Sequence, residues 1–454
     1  MSEGRRFFAA QAWVGGGWAR DVLLAADADG FWARVLVGCS DADRRHAEVL
    51  NGPVLPGLVD AHGHAFQRAM AGLTEWAAPG RDDFWSWRDR MYAAARRIGP
   101  EQLETIAGFL YTELLRAGYT QVCEFHYLHN DVDGEPYADP LEMSLALVRA
   151  AQRTGIGLTL LPTLYMRSGF GATGLREDQC RFASTPGSVL RIAEAVRRSG
   201  SGTRTITAGL ALHSLRAVDE GALLEAAAAA HQARMPVHIH IAEQQLEVDD
   251  CIQRHGQRPI EWLLGKLIID RHWNLVHATR STPRELAGIR DQGASIVICP
   301  STEANLGDGV FDLPGWLGIG GRWSIGSDSH VTRSPIEELR LLEYSQRLAL
   351  RQRNVAARAA GCESTAGVLF NGALDGGSAA AGQACGGLAV GQRADFCVVD
   401  PASPALAGVP AQRLLDALVF SSPETVMVRV CVGGRDVNLH PPSREFAALM
   451  RTLW

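Results

Sequence analysis

From about residue 53, and for about 300 residues, short apolar runs alternate with longer helical patterns, and few architectures accept that rhythm. The runs are "VLPGLVDAH" (54–62), "YTQVCEF" (119–125), "IGLTLLPTLY" (156–165), "ITAGLALH" (206–213), "PVHIHIA" (236–242), "NLVHA" (274–278), "SIVICP" (295–300) and "WSIGSDS" (323–329). They are apolar almost throughout, as strands covered on both faces must be. Helical stretches such as 101–117, 139–154, 219–234, 283–292 and 335–353 lie between them. Eight strand–helix units read as an α/β fold, a (β/α)8 TIM-like barrel. A doubly wound open sheet is the alternative, but its usual glycine-rich first turn is missing.

The flanks read differently. Short strands punctuated by Gly and Trp, such as "GQRADFCVVD" (391–400) and "VMVRVCVGG" (426–434), assign 1–52 and 371–441 to a small β-sandwich built from both chain ends. The barrel, 53–370, is inserted between its halves, and 442–454 reads as a terminal helix. A chain of 454 residues can bury a substantial core, and 46% hydrophobic with 21% charged residues is the balance of a soluble globular protein. A formal charge of -6 gives no electrostatic reason to expect nucleic acid or an anionic membrane. Nine scattered cysteines without a CxxC argue against a disulfide framework and for a reducing compartment. "MSEGRRFFAAQAWVGGG" holds no apolar stretch of secretory length and no later segment reaches membrane-spanning length, so a cytoplasmic setting is expected.

The chemistry gathers at strand ends. Side chains two apart on a strand share a face, so His62 and His64 point the same way, as do His238 and His240 in "VHIHIAE". Glu243 lies just past that strand, His277 closes "NLVHA", and Asp328 closes "SIGSD". The C-terminal rim of a barrel is where active sites are built. Singly these residues say little: a histidine after a strand is commonly a satisfied structural group, and Asp328 could cap the helix that follows. Converging without a metal, each would need its own hydrogen-bond partner, whereas one zinc-like ion satisfies most of them together. His46, His255, His272 and His440 sit in polar contexts, His231 on an Ala-rich helix, and His330 beside Asp328. His238, deeper in its strand, reads as a core group.

"PGLVDAHGH", "HIHIAE", "LVHA" and "IGSDS", in this order, resemble the amidohydrolase superfamily of metal-dependent barrel hydrolases over nearly the whole chain. The resemblance implies His62, His64, His240 and Asp328 as metal ligands and His277 beside the reacting carbon. Many members bridge two metals with a carbamylated lysine, but Lys266, in the helical "EWLLGKLI", is the only lysine here. One zinc ion per subunit is therefore expected, with ferrous iron as the alternative. Such mononuclear members mostly cleave C–N bonds at amidine-like carbons and release ammonia. Glu243 matches their proton-shuttling glutamate, and Asp328 and His277 complete the catalytic set. Two positions depart from the pattern: Gly63 stands where Ser is expected, and Asp60 where Asn is more frequent.

"HAFQRAMAGLTEW", "EFHYLHND", "LALHSLRAV" and "CPSTEANLGDGVFDLP" narrow the resemblance to the branch that hydrolyses N-formimino-L-glutamate to N-formyl-L-glutamate and ammonia in histidine degradation. It implies Gln67, Arg88, Tyr127, His213 and Arg216 as substrate-binding residues for a small dicarboxylate amidine, guanidinium being the natural bidentate partner of carboxylate. The aromatic, charged stretch 72–97 reads either as a first-loop lid, with Trp85 and Trp87 closing over substrate, or as a dimer contact. A homodimer is the family expectation. Two other functions stand beside this one: deamination of another amidine or a heterocycle such as guanine or a nucleoside, and a non-catalytic metal-binding barrel.

Overall fold

The computed structural model describes residues 4–76, 82–200, 202, 204–423 and 426–454. Eight parallel strands form the barrel: β1 (Leu58–Gly63), β2 (Tyr119–His126), β3 (Gly157–Leu164), β4 (Leu210–Ser214), β5 (Val237–Ile241), β6 (Trp273–His277), β7 (Ser295–Ile298) and β8 (Trp323–Ile325). They are hydrogen-bonded in sequence order, and every residue of these strands is buried. β8 reaches β1 only through a bridge between Gly63 and Asp328. There the Asp328 amide donates to His62 O at 2.9 Å and the His64 amide donates to Asp328 O at 3.1 Å.

Two apolar runs split. The first breaks at Gly57: Val54–Pro56 pairs with Phe396–Val399 outside the barrel, and Leu58–Gly63 pairs inside it. A Cβ at Gly57 would lie 2.2 Å from the Thr120 side chain, so only glycine lets the chain cross there. The fourth run breaks at Gly209, and both pieces, Ile206–Ala208 and Leu210–Ser214, pair with β3. Continuous hydrophobicity marks the buried run but not where its pairing changes.

The second sheet takes strands from both ends of the chain: Arg6–Val14, Gly17–Ala26, Trp32–Leu36, Glu48–Leu50 and Val54–Pro56 join Phe396–Val399, Met427–Val432 and Arg435–Asp436. Its own core packs Phe7 edge-on against Phe396 and Trp32, with centroids 5.0 and 6.4 Å apart. Helix Thr365–Ala381 meets the barrel near the starts of its strands: Thr159 Oγ1 donates to Ala381 O at 2.8 Å and His238 Nε2 to Ala380 O at 2.9 Å. His238 is thus a core group. Among the described residues no helix is long and apolar enough to cross a membrane.

The terminal helix Ser443–Leu453 docks on helix Pro100–Ala117, with Phe446 stacked on Phe109 at 4.1 Å and the Arg68 guanidinium 5.1 Å from both rings. Phe446→Ala should lower stability by roughly 3 kcal/mol, measured as a shift of the urea unfolding midpoint.

Candidate metal centre and active-site cavity

The ends of β1, β5 and β8 bring the side chains of His62, His64, His240 and Asp328 together, with one donor atom from each lying within 4.8 Å of the others. His64 Nδ1–H donates to Phe125 O at 2.8 Å and His240 Nδ1–H to His213 O at 3.0 Å. Carbonyls only accept, so these bonds fix both tautomers and leave the Nε2 lone pairs pointing inward. Nε2 of His62 and His240 are 3.0 Å apart, and Asp328 Oδ1 is 3.4 Å from His62 Nε2 and 3.2 Å from His64 Nε2. Four-coordinate zinc with bonds of about 2.0–2.1 Å sets nitrogen ligands roughly 3.3 Å apart. The donor set fits such an ion. It does not fit a lysine-bridged pair: Lys266 Nζ is engaged with Glu220 at 2.7 Å on the surface.

Burial alone would raise the Asp328 pKa, but hydrogen bonds and charge from His62 and His64 prevail and hold it well below the usual carboxylate range. Burial takes the opposite course at His62 and drops its pKa to about 3, so the ring is neutral, as a metal ligand must be. Several residues at these strand ends adopt left-handed backbone: Ala242 (φ 51°), His277 (φ 71°), Ala278 (φ 52°) and Asp328 (φ 49°). Such conformations cost of order 1–3 kcal/mol each and persist where surrounding contacts over-determine them.

His277 stands beside the cluster. Its Nε2 is 3.7 Å from both Glu243 Oε1 and Asp328 Oδ2, and its Nδ1 is 3.3 Å from Glu303 Oε1. Burial disfavours the imidazolium, yet the Glu243, Glu303 and Asp328 carboxylates outweigh it and lift the pKa to about 10. Glu303 also accepts the Cys299 amide at 2.8 Å, which fixes the carboxylate behind the ring. Glu303 was not among the residues singled out from sequence, although it lies in "CPSTEAN"; its position on helix Pro300–Leu306 decides what it touches.

One cavity is lined by His64, His240, Asp328, Glu243 and His277 together with Gln67, Arg88, Tyr127, His213 and Arg216. His62 lies behind its neighbours, fully buried. Gln67 Nε2 donates to Tyr127 Oη at 3.1 Å. Gln67 Oε1, Arg88 Nε and Arg216 Nη1 are buried without a hydrogen-bond partner, the condition of groups arranged for a polar ligand. Burial opposes the Arg216 charge, but Glu247 and Glu243 sustain it, and the pKa is raised. His213, buried and next to Arg216, is held neutral.

Helix Phe84–Ala95 covers the cavity and contributes Phe84, Trp87, Met91 and Tyr92 besides Arg88. Trp87 faces the cavity as expected, whereas Trp85 is not among its lining residues and instead lies against Arg88, whose guanidinium carbon is 4.5 Å from its ring. Residues 77–81 of the 72–97 stretch lie outside the described residues. Tyr92, also missed from sequence, is held by Tyr165 Oη at 3.1 Å and by Gln179 Nε2 at 3.0 Å.

A barrel with this rim is matched by the amidohydrolase family over residues 54–437. The chain belongs to the amidohydrolase family. It is 47% identical to the formimidoylglutamate deiminase of Pseudomonas aeruginosa over 94% of this chain and 93% of that one. A 5-methylthioadenosine/S-adenosylhomocysteine deaminase of Halobacterium salinarum is 28% identical over 78% of this chain and 75% of its own. Among solved structures, an amidohydrolase from Brucella melitensis superposes with a TM-score of 0.91 at 40% identity, covering 99% of both chains.

For this amidohydrolase, metal analysis of the purified protein should find about one divalent ion per chain, removable by a chelator, with His240→Ala lowering affinity by 100-fold or more, on the order of one lost ligand. Retention of full stoichiometry by His240→Ala would exclude this cluster as the site.

Proposed function

We propose that the chain hydrolyses N-formimino-L-glutamate to N-formyl-L-glutamate and ammonia, using one zinc ion held by His62, His64, His240 and Asp328. The observation that carries this reading is the pairing, in one cavity, of a His–His–His–Asp cluster with the buried Arg216 and the half-buried Arg88, whose Nη1 and Nε respectively make no hydrogen bond. The similarity to formimidoylglutamate deiminase supports the same substrate. A cytoplasmic setting and a homodimer complete the reading; the first loop, where Leu73 and Trp76 are 49% and 83% exposed, offers apolar surface for the contact.

Held by His62, His64, His240 and Asp328, an ion of the zinc class would supply a water acidified to a pKa of roughly 7 and Lewis-acid polarisation. Asp328, whose Oδ2 faces His277, accepts the proton of the attacking water. Charged His277, held between Glu243, Glu303 and Asp328, steadies the negative charge that develops as water adds to the formimino carbon. As the adduct's hydroxyl becomes the formyl C=O, Glu243 takes up its proton and passes it to the terminal nitrogen, whose C–N bond breaks to release ammonia. Arg216 and Arg88 take the two carboxylates, and Gln67, Tyr127 and His213 orient the chain between them.

Zinc-loaded protein supplied with N-formimino-L-glutamate should release ammonia and N-formylglutamate in equal amounts, and chelation should abolish both. Formamide and glutamate instead would mean cleavage at the other C–N bond. Arg216→Met should reduce kcat/KM by roughly 100-fold or more, as expected for an unpaired buried carboxylate. If that variant kept full activity on this substrate while the protein deaminated a nucleoside, the heterocycle reading would replace this one. Glu243→Gln should lower kcat by about 10²–10⁴.

A further inference from the structure

Asp60 and Gly63, on β1 to either side of His62, meet at one place in the fold. The seam between β8 and β1 is the thinnest in the barrel. β5 and β6 share five paired positions, whereas β8 and β1 share the single Gly63–Asp328 bridge. Side chains supply what the backbone ladder omits. Asp60 Oδ1 accepts the Ser327 amide at 2.8 Å and Oδ2 accepts the Ser327 hydroxyl at 2.6 Å. With its proton given to Asp60, Ser327 Oγ can only accept from His330 Nδ1–H, 2.8 Å away.

All three residues are fully buried, so each of these bonds is made without competition from water. The His330 ring takes the space beside Gly63: a Cβ there would lie 2.7 Å from His330 Cε1. The turn that holds this ring is strained, with Asp328 at φ 49° and His330 at φ 59°, and the His330 amide closes it on Ser327 O at 2.9 Å. Asp328 sits inside this turn, its amide and carbonyl bonded to β1 on either side of Gly63.

We propose that Asp60, Ser327 and His330 are positioning residues: they zip the barrel seam and thereby set the Asp328 carboxylate against His62 and His64, with Gly63 left bare to admit the His330 ring. The proposal rests on the reading of His62, His64, His240 and Asp328 as a metal site. A shift of Ser327 moves the next residue, Asp328, so the chain acts on metal affinity. A merely structural role would lower thermal stability alone.

The test is a cycle of Gly63→Ala, His330→Ala and the double variant, with Ser327→Ala and Asp60→Asn beside it. Zinc dissociation constants come from competition with a chromogenic chelator, and melting midpoints from zinc-free and zinc-loaded protein. Gly63→Ala should weaken zinc binding at least tenfold, on the order seen when a group supporting a metal ligand is lost. Adding His330→Ala should restore binding to within about threefold of His330→Ala alone, because the ring that the new methyl strikes is gone. Ser327→Ala and Asp60→Asn should each weaken zinc binding about tenfold and shrink the melting shift that zinc confers.

Additive losses in the cycle would overturn the coupling of Gly63 to His330. Ser327→Ala that melts lower yet binds zinc like the parent would overturn the positioning role, and it decides the matter if Gly63→Ala does not fold. A parent chain that binds no zinc overturns the proposal together with the metal reading. None of these readouts uses N-formimino-L-glutamate, so failure to hydrolyse that substrate bears on the proposed function and leaves the seam result standing.

Discussion

The bridge between Gly63 and Asp328 serves the fold and the chemistry with the same atoms. β8 is three residues long and cannot close an eight-stranded barrel by a ladder of its own. Closure falls to the Asp328 amide and carbonyl, bonded to the backbone of the two residues that flank Gly63. Those residues are His62 and His64, so closing the seam necessarily brings a carboxylate to two imidazoles. Burying that carboxylate is expensive unless it is paired, and with the His62 and His64 Nε2 atoms at 3.4 and 3.2 Å the partner that suits all three is a cation between them. The left-handed backbone at Asp328 is tolerated because bonds on both sides hold it there.

Charge is divided across the cavity. Glu243, Glu303 and Asp328 crowd His277, while Arg216 and, from helix Phe84–Ala95, Arg88 line the same cavity. Glu247 links the acidic group to Arg216: its Oε2 accepts the Glu243 amide at 3.1 Å and lies 4.0 Å from Arg216 Nη1. The covering helix is fixed from beneath by the fully buried Arg181, which donates to Ala95 O, to Ile98 O at 2.9 Å and to Asn130 O at 3.1 Å. A ligand that carries both an amidine and carboxylates finds complementary charge here, and a flat neutral heterocycle does not.

What was legible in the sequence followed periodicity. Near-continuous apolar runs identify strands buried on both faces, the two-residue alternation puts His62 with His64 and His238 with His240, and the place nearer the strand's C-terminal end separates His240 from His238. Asp328 was reached through its place after a strand, although it lies in the turn beyond β8. Side chains on the loops and helices above the rim were less legible, because a helix periodicity does not say which face meets the cavity. Glu303 and Tyr92 were missed for that reason, and Trp85 was given the role that Phe84 shares with Trp87. The break at Gly57 is invisible to hydrophobicity, since it arises from the approach of Thr120 on a strand some 60 residues away.

Two groupings of like with like stand in and beside one cavity. At one, His62 and His240 face each other through Nε2 at 3.0 Å beside a carboxylate, and a cation lets all of these groups act as acceptors of a common partner. At the other, the guanidinium groups of Arg88 and Arg216 lie 4.5 and 5.8 Å from the same Trp85 ring. The indole face relieves part of their repulsion but offers no hydrogen bond to Arg88 Nε or Arg216 Nη1. Carboxylates supply both charge and acceptors. The protein's own residues therefore set up two opposite electrostatic demands, and a metal ion with an anionic amidine substrate answers them both.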